Sequence, residues 1–388
     1  MRIIVIGGGI GGLTTAIALN KLGVDVEVYE RAPELREVGA GIALASNALR
    51  ALDALGLTND LQSVSAEGMQ GAIRDPNGNV LTSIAGALSQ EIGPVAIMHR
   101  AELLSVLARH IDPARIHLGR ACVGFEQDAG GITASFDTGE TARGDGLIAA
   151  DGLRSAVRTQ LFGRQIIRYA GYTGWRAVVT FPDRPSFPPS ETWGRGRRFG
   201  VLPMGGRRVY WFATKNAPEG QHDPVGRTKE SLAQLFAGWH HPIETVIAAT
   251  DEDSILRNDI YDVAPLPRFV LGRAALLGDA AHATTPNLGQ GACQAIEDAV
   301  VIAACLKTAG RVEPGLLEYE RRRMPRVSQI SRRSRNFGVV AQLENAAACW
   351  LRDSIMRVAP NGAALRQMKS LLSVEILTSA ERALFGCN

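Results

Sequence analysis

Glycines 7, 9 and 12 fit the spacing G-x-G-x-x-G in the run Gly7-Gly8-Gly9-Ile10-Gly11-Gly12. The run sits between an apolar stretch, Arg2 to Ile6, and a helical pattern from Gly11 to Leu22. That placement suits anion binding. The first glycine permits a tight turn, and the second lets the backbone approach a pyrophosphate. The third allows close helix–strand packing, and the helix start offers free N–H groups. Glu30 closes the next strand signal, Val24 to Tyr29, 18 residues after Gly12. A carboxylate there accepts hydrogen bonds from ribose hydroxyls and repels a 2′-phosphate, which favours FAD or NAD over NADP at this turn.

A second set of residues lies far along the chain. The apolar run Ala274 to Leu277 ends in Gly278-Asp279, within Arg273-Ala-Ala-Leu-Leu-Gly-Asp-Ala-Ala-His282. An NAD site needs no second carboxylate at a strand end, whereas a ribityl chain has hydroxyls that require acceptors. Thr285-Pro286-Asn287-Leu288-Gly289-Gln290-Gly291-Ala292 then leads into a long helical pattern, about Gly291 to Leu306. Bare N–H groups at such a helix start stabilise the anionic ring of a reduced flavin. Together the two sets point to bound FAD.

The elements between must bring these ends together. Gly39-Ala40-Gly41-Ile42 reads as a flexible stretch, and Asn47 to Leu55 as a helix. Gly71 to Ser83 has hairpin character about Pro76-Asn77-Gly78. A helix is expected near Arg100 to His110, and strands at Arg115 to Leu118, Cys122 to Gln127, Ile132 to Phe136 and Leu147 to Ala150. Prolines cluster after Tyr169. Strand signals at Arg198 to Leu202, Arg207 to Thr214 and Ser254 to Asp262 then suggest a largely antiparallel sheet. The expected fold is α/β: a discontinuous, Rossmann-like FAD-binding domain, an inserted, mostly antiparallel substrate domain, and a C-terminal helical segment. The boundaries are 1–70, 97–170 and 265–340 for the first, 71–96 and 171–264 for the second, and 341–388 for the third.

Composition narrows the partners. The 388 residues carry a net charge of only +3, spread along the chain, which excludes the basic stripe of a nucleic-acid binder. The densest basic run, Arg321, Arg322, Arg323, Arg326, Arg332, Arg333 and Arg335, reads as a solvated helix face, with an acidic partner or membrane surface as the alternative. Five scattered cysteines, Cys122, Cys293, Cys305, Cys349 and Cys387, form no CxxC pair, so no metal site is expected and a reducing, cytoplasmic setting is. The opening apolar stretch is shorter than a signal peptide requires and no apolar run reaches the length of a membrane span, so neither is expected.

Three motifs in this order are Gly7 to Gly12 with Glu30, Asp151-Gly152-Leu153-Arg154-Ser155, and Gly278-Asp279-Ala280-Ala281-His282 with Pro286 and Gly289-Gln290-Gly291. With them the chain resembles the single-component FAD-dependent aromatic hydroxylases, the para-hydroxybenzoate hydroxylase superfamily. Its salicylate hydroxylase, urate hydroxylase and zeaxanthin epoxidase branches are the most similar. The resemblance implies that Gly7, Gly9, Gly11 and Gly12 serve the FAD turn and that Glu30 and Arg31 hold the adenosine ribose region. It puts Arg100 on the pyrophosphate side and the main chain of Cys122 beside adenine. Asp151 is tied to both FAD and nicotinamide, and Asp279 lies near the ribityl-pyrophosphate. Pro286, Gly289, Gly291 and Ala292 border the flavin, and Gly41 and Ile42 run along its edge.

The same resemblance implies a reaction. NADH or NADPH reduces the flavin, O₂ converts it to a flavin hydroperoxide, and an aromatic or heteroaromatic small molecule is hydroxylated. An epoxidase or other monooxygenase of an isoprenoid or polyketide, or a non-oxygenating FAD dehydrogenase, are the alternatives. Arg198 and Tyr210, on the middle strands, are the candidates for holding a polar or anionic substrate. Alternation leaves open whether Tyr210 and Phe212 or Trp211 face the cavity. His282 and His99 read as structural, and Cys293 as a small core residue. A monomer or homodimer is expected.

Overall fold

The computed structural model describes residues 1–35, 41–67, 71–84, 93–163, 167–359 and 368–386. The stretch expected to be flexible, Gly39-Ala40-Gly41-Ile42, has its first two residues outside the described ones. Gly41 and Ile42 open the strand Gly41–Leu44.

A six-stranded sheet carries the first motif and the last. Its order is Val270–Leu271, Ala274–Leu276, Gly146–Ala149, Arg2–Ile6, Asp25–Glu30, Ile116–Leu118. All pairs are parallel except the outermost, between Val270–Leu271 and Ala274–Leu276. Parallel strands need cover on both faces, which is why they read as unbroken apolar runs. Ile3, Val5, Leu147, Ile148, Ala274 and Leu276 are fully buried. The helices Ile10–Lys21 and Gly291–Ala309 supply part of that cover, packed against each other. Thr14 and Thr15, buried in the first of them, bond their hydroxyls to the carbonyls of Ile10 and Gly11 at 2.7 Å each. That local bond is how a buried helix tolerates a polar residue.

A seven-stranded sheet forms the middle of the molecule, in the order Leu256–Val263, Ile167–Thr180, Arg208–Asn216, Arg197–Pro203, Ser190–Trp193, Gly71–Arg74, Val80–Ile84. Its pairs are antiparallel apart from Ser190–Trp193 with Gly71–Arg74. One face buries Trp175, Phe199, Trp211 and Val209 against Phe236, Trp239 and Val246. Two helices in this region, Thr228–Leu235 and Ile243–Ala249, were not anticipated from the sequence. They exist because that aromatic face needs a cover, and their own short apolar pattern is too weak to announce them. The other face carries Arg176, Arg198, Tyr210 and Phe212 toward the six-stranded sheet. A three-stranded sheet of Gly41–Leu44, Ala96–His99 and Ala66–Glu67 stands between.

The expectation of a solvated face holds for Arg321 and Arg332, which are exposed, and is corrected for the rest of the arginine-rich run, which turns inward. Arg323, in the long helix Val312–Ala341, is fully buried and donates to Glu297 and Asp298 at 2.6 Å each. Arg326 makes two bonds of 2.8 Å to Glu297, Arg322 pairs with Glu381, and Arg335 with Asp262. A charge run at helical spacing was read from periodicity alone. The acidic partners lie on two other helices and on the strand Leu256–Val263, which periodicity does not reveal. Among the described residues no helix is long and apolar enough to cross a membrane.

Candidate cofactor and substrate site

The two sheets enclose a cavity of about 830 Å³. Gly7, Gly9, Gly11, Glu30, Arg31, Gly41, Ile42, Arg100, Cys122, Asp151, Asp279, Pro286, Gly289, Gly291 and Ala292 line it, with Arg198 and Tyr210 on the far wall. Of the residues expected from the sequence, only Gly12 is not at the wall. It serves the turn itself: a Cβ there would lie 1.8 Å from the Gly7 carbonyl oxygen.

Glu30 holds the glycine turn in shape. Its carboxylate accepts from the Gly8 N–H at 2.6 Å and the Ala32 N–H at 2.8 Å. The helix Ile10–Lys21 starts at Gly9, and the helix Gly291–Ala309 at Gln290, both without a side-chain cap. Two uncapped helix starts therefore face one cavity, each with backbone N–H groups and the positive end of a dipole. Asp279, Pro286 and Gly289 are exposed only in the sense that they form this inner wall.

The Asp151 turn is built differently. One carboxylate oxygen accepts from Ala156 N–H at 2.9 Å and Val157 N–H at 3.4 Å. The other is buried with no partner, and burial pushes the carboxyl's pKa up. Thr284 Oγ1 is a second such atom at the wall. Buried polar atoms without partners are rare in folded proteins, and a cluster of them around one cavity marks the place of a ligand.

Some residues that assemble the site went unread in the sequence. Arg158 is buried and ties two motif turns together, donating to the Leu153 carbonyl at 2.5 Å and the Ala280 carbonyl at 2.9 Å. Asp298 is fully buried and accepts from Gly278 N–H at 3.0 Å, with His282 Nε2 at 2.6 Å. Burial alone would raise its pKa, but the charges of His282 and Arg323 outweigh that and hold it at about 2. Glu297 also accepts from Asn47 at 2.5 Å, which links the helix Ser46–Ala54 to the same network. Glu297-Asp298 inside an otherwise apolar helix was a legible sign of buried pairing. Arg158 left no sign.

The far wall resolves the alternation left open by the sequence. Tyr210 and Phe212 face the cavity, while Trp211 is fully buried on the opposite face, donating to Thr250 at 2.9 Å. Burial pushes the Tyr210 phenol up, against the pull of Arg176 and Arg100. Its ring packs so closely on Gly41 that a Cβ there would sit 2.2 Å from it. Arg198 directs its donors at protein: Asn287 at 2.7 Å, Gln342 at 2.9 Å, Glu191 at 3.1 Å and Thr214 at 3.3 Å. Asn287 also accepts from the Tyr172 hydroxyl at 3.1 Å. Arg198 thus braces the Pro286–Leu288 turn against the sheet. His282 lies in the buried ion-pair network, and His99 caps the helix Arg100–Arg109. Cys293 is buried, its thiol pushed up to about 12 by burial.

Residues 1–334 match the family model described as an FAD binding domain. The chain is 43% identical over 363 residues to aurachin C monooxygenase/isomerase of Stigmatella aurantiaca, covering 92% of this chain and 94% of that protein. It is 36% identical over 374 residues to 3-amino-4-hydroxybenzoate 2-monooxygenase of Streptomyces cremeus, covering 92% of each. The crystal structure of Klebsiella pneumoniae HpxO complexed with FAD and uric acid superposes with a TM-score of 0.89 at 32% identity, over 96% of this chain and 97% of that one.

Proposed function

The chain belongs to the FAD binding domain family of flavin-dependent monooxygenases, and on that premise we propose that the residues around its cavity hold FAD on one side and an aromatic or heteroaromatic substrate on the other. When bound, FAD takes electrons from NADH or NADPH and uses them to transfer one oxygen atom of O₂ to the substrate.

The observation that carries the assignment is the convergence on one cavity of two uncapped helix starts, the Glu30 and Asp279 carboxylates and the partnerless Asp151 oxygen. On this reading the Ile10–Lys21 helix start receives the pyrophosphate. Glu30 and Arg31 border the adenosine ribose, and Cys122 contributes main chain beside the adenine. Arg100 adds positive charge on the pyrophosphate side, and Asp279 serves the ribityl hydroxyls. Gly289, Gly291 and Ala292 present N–H groups to the flavin ring beside Pro286, and their helix stabilises its negative charge. Gly41 and Ile42 form its edge. Tyr210, Phe212 and Leu202 exclude water from the substrate side. Arg198 acts there by holding Asn287 rather than by reaching across the cavity.

The domain division read from the sequence goes with this assignment: 1–70, 97–170 and 265–340 for FAD, 71–96 and 171–264 for substrate, and 341–388 as a helical appendage. What supports it is that strands from three separate stretches make up the six-stranded sheet.

Purified protein, reconstituted with FAD if colourless, tests the assignment. Expected are one bound FAD per chain, NAD(P)H consumption stimulated by some phenolic acids, purines, pyridines or quinolines, and a product heavier by one oxygen. Failure to take up FAD, or NAD(P)H consumption that yields only hydrogen peroxide with every compound, would overturn it.

A further inference from the structure

Arg176 stands in the long strand Ile167–Thr180, paired with Phe212 on one side and Leu256 on the other. Its side chain belongs to the cavity wall with Asn258, Ile260, Tyr210 and Phe212. Of the other arginines of this sheet, Arg198 has a carboxylate partner in Glu191, Arg257 in Asp223 and Arg168 in Asp262, while Arg74 and Arg197 donate to main-chain carbonyls. Arg176 forms no ion pair among the described residues. One terminal nitrogen donates to Asn258 Oδ1 at 3.3 Å. Its Nε is buried and has no partner.

A guanidinium keeps its charge at any ordinary pH and presents donors in a planar fork suited to carboxylates. Leaving one of those donors buried and unmatched costs stability, unless a ligand brings the acceptor. The surroundings describe that ligand. Phe212, Leu202 and Ile260 supply an apolar slot for a flat ring, and the charge of Arg176 reaches the Tyr210 phenol. We propose that Arg176, supported by Asn258, receives an anionic oxygen of the bound aromatic substrate and selects acidic aromatics over their neutral analogues. This rests on the reading of the middle sheet as the substrate side. Nothing in the sequence separates Arg176 from the chain's other arginines. It is singled out by a combination: a place on the substrate-side wall, no carboxylate partner among the described residues and a buried Nε left unmatched.

The same chemistry is carried by the pyrophosphate of the nicotinamide co-substrate, so the test has two arms. In the first, the yellow holoprotein is titrated by visible difference spectroscopy with benzoate against benzamide, and with quinoline-2-carboxylate against quinoline-2-carboxamide. In the second, anaerobic flavin reduction is followed at rising NADH. Both are repeated in Arg176→Gln and Arg176→Lys, with thermal unfolding recorded for each. For at least one pair the wild type binds the acid about tenfold or more tighter than the amide, the scale of a charge-assisted hydrogen bond. Arg176→Gln abolishes that preference, Arg176→Lys keeps part of it, and half-saturation by NADH changes less than about twofold. Equal binding of acid and amide by the wild type in both pairs, or equal weakening of both by Arg176→Gln, would overturn the proposal. So would a retained preference with NADH half-saturation raised about tenfold, which would place the pyrophosphate at Arg176. Failure of the broader assignment has a different sign, a protein that takes up no FAD.

Discussion

Arg323→Met probes the buried ion-pair network on which the rear wall of the cavity rests. Arg323 is fully buried and bonds both Asp298 and Glu297 at 2.6 Å, with Gln294 as a further partner at 2.8 Å. Methionine fills much of the same space and removes the charge, leaving Asp298 with His282 and Glu297 with Arg326. Breaking one partner out of a buried pair costs about 3–5 kcal/mol, because the remaining charge is left in a medium that solvates it poorly. Unfolding entropy of about 2.1 cal/mol/K per residue, over 388 residues, converts that to a fall in Tm of about 4–6 °C. The sign of the pH dependence follows from Asp298. Its pKa is about 2 in the folded chain against 3.8 for the free side chain. A lowered carboxyl pKa stabilises the fold above the unfolded value, and that contribution, about 2 kcal/mol, is lost as pH falls from about 4 toward 2. The difference between wild type and Arg323→Met therefore narrows below pH 4. Thermal and urea unfolding, followed by circular dichroism between pH 7 and the acid limit, measures it. The same substitution in an Asp298→Asn background should cost at least about 1 kcal/mol less, since the two sites are in contact. A Tm shift under about 1 °C, or the same cost in both backgrounds, would refute the view that this network braces the cavity.

Gly9→Ala and Gly12→Ala should part company, although both alter the same turn. A Cβ at Gly9 meets nothing within 4 Å and points into the cavity, whereas one at Gly12 lies 1.8 Å from the Gly7 oxygen. Gly9→Ala is expected to fold with near wild-type Tm and lose FAD, and Gly12→Ala to lose solubility or Tm as well. Flavin content beside the melting curve decides it. Gly41→Ala should disturb the wall, because its Cβ would sit 2.2 Å from the Tyr210 ring, and Tyr210→Ala in the same chain should restore flavin content. Glu30→Gln should weaken FAD binding by roughly 10- to 100-fold, the range for a charge-assisted hydrogen bond, as read by FAD fluorescence titration. The Cys293 thiol, held up at about 12 by burial, should resist iodoacetamide at pH 8 in the folded protein and react after unfolding in urea.

The sequence by itself determined what local pattern can encode. Gly7, Gly9 and Gly12 after an apolar strand, with Glu30 at the end of the next, specify a turn whose steric needs are met within thirty residues. The unbroken apolar runs around Leu147 and Ala274 specify strands buried on both faces. Order and spacing of the motifs then carried the family and its cofactor. Tertiary structure decided everything that depends on which residue meets which across the chain. Period-two alternation restricts Tyr210, Trp211 and Phe212 to two faces but does not say which is covered, and the answer came from two helices packed on Trp211. The arginine run looked like a solvent face because its acidic partners, Glu297 and Asp298, lie about one helix away in the sequence and at bonding distance in space. Arg198 gained a carboxylate and several polar partners, whereas Arg176 has Asn258 and a buried Nε left unmatched. That difference lies in the surroundings, since in sequence the two are the same residue type on neighbouring parts of one sheet.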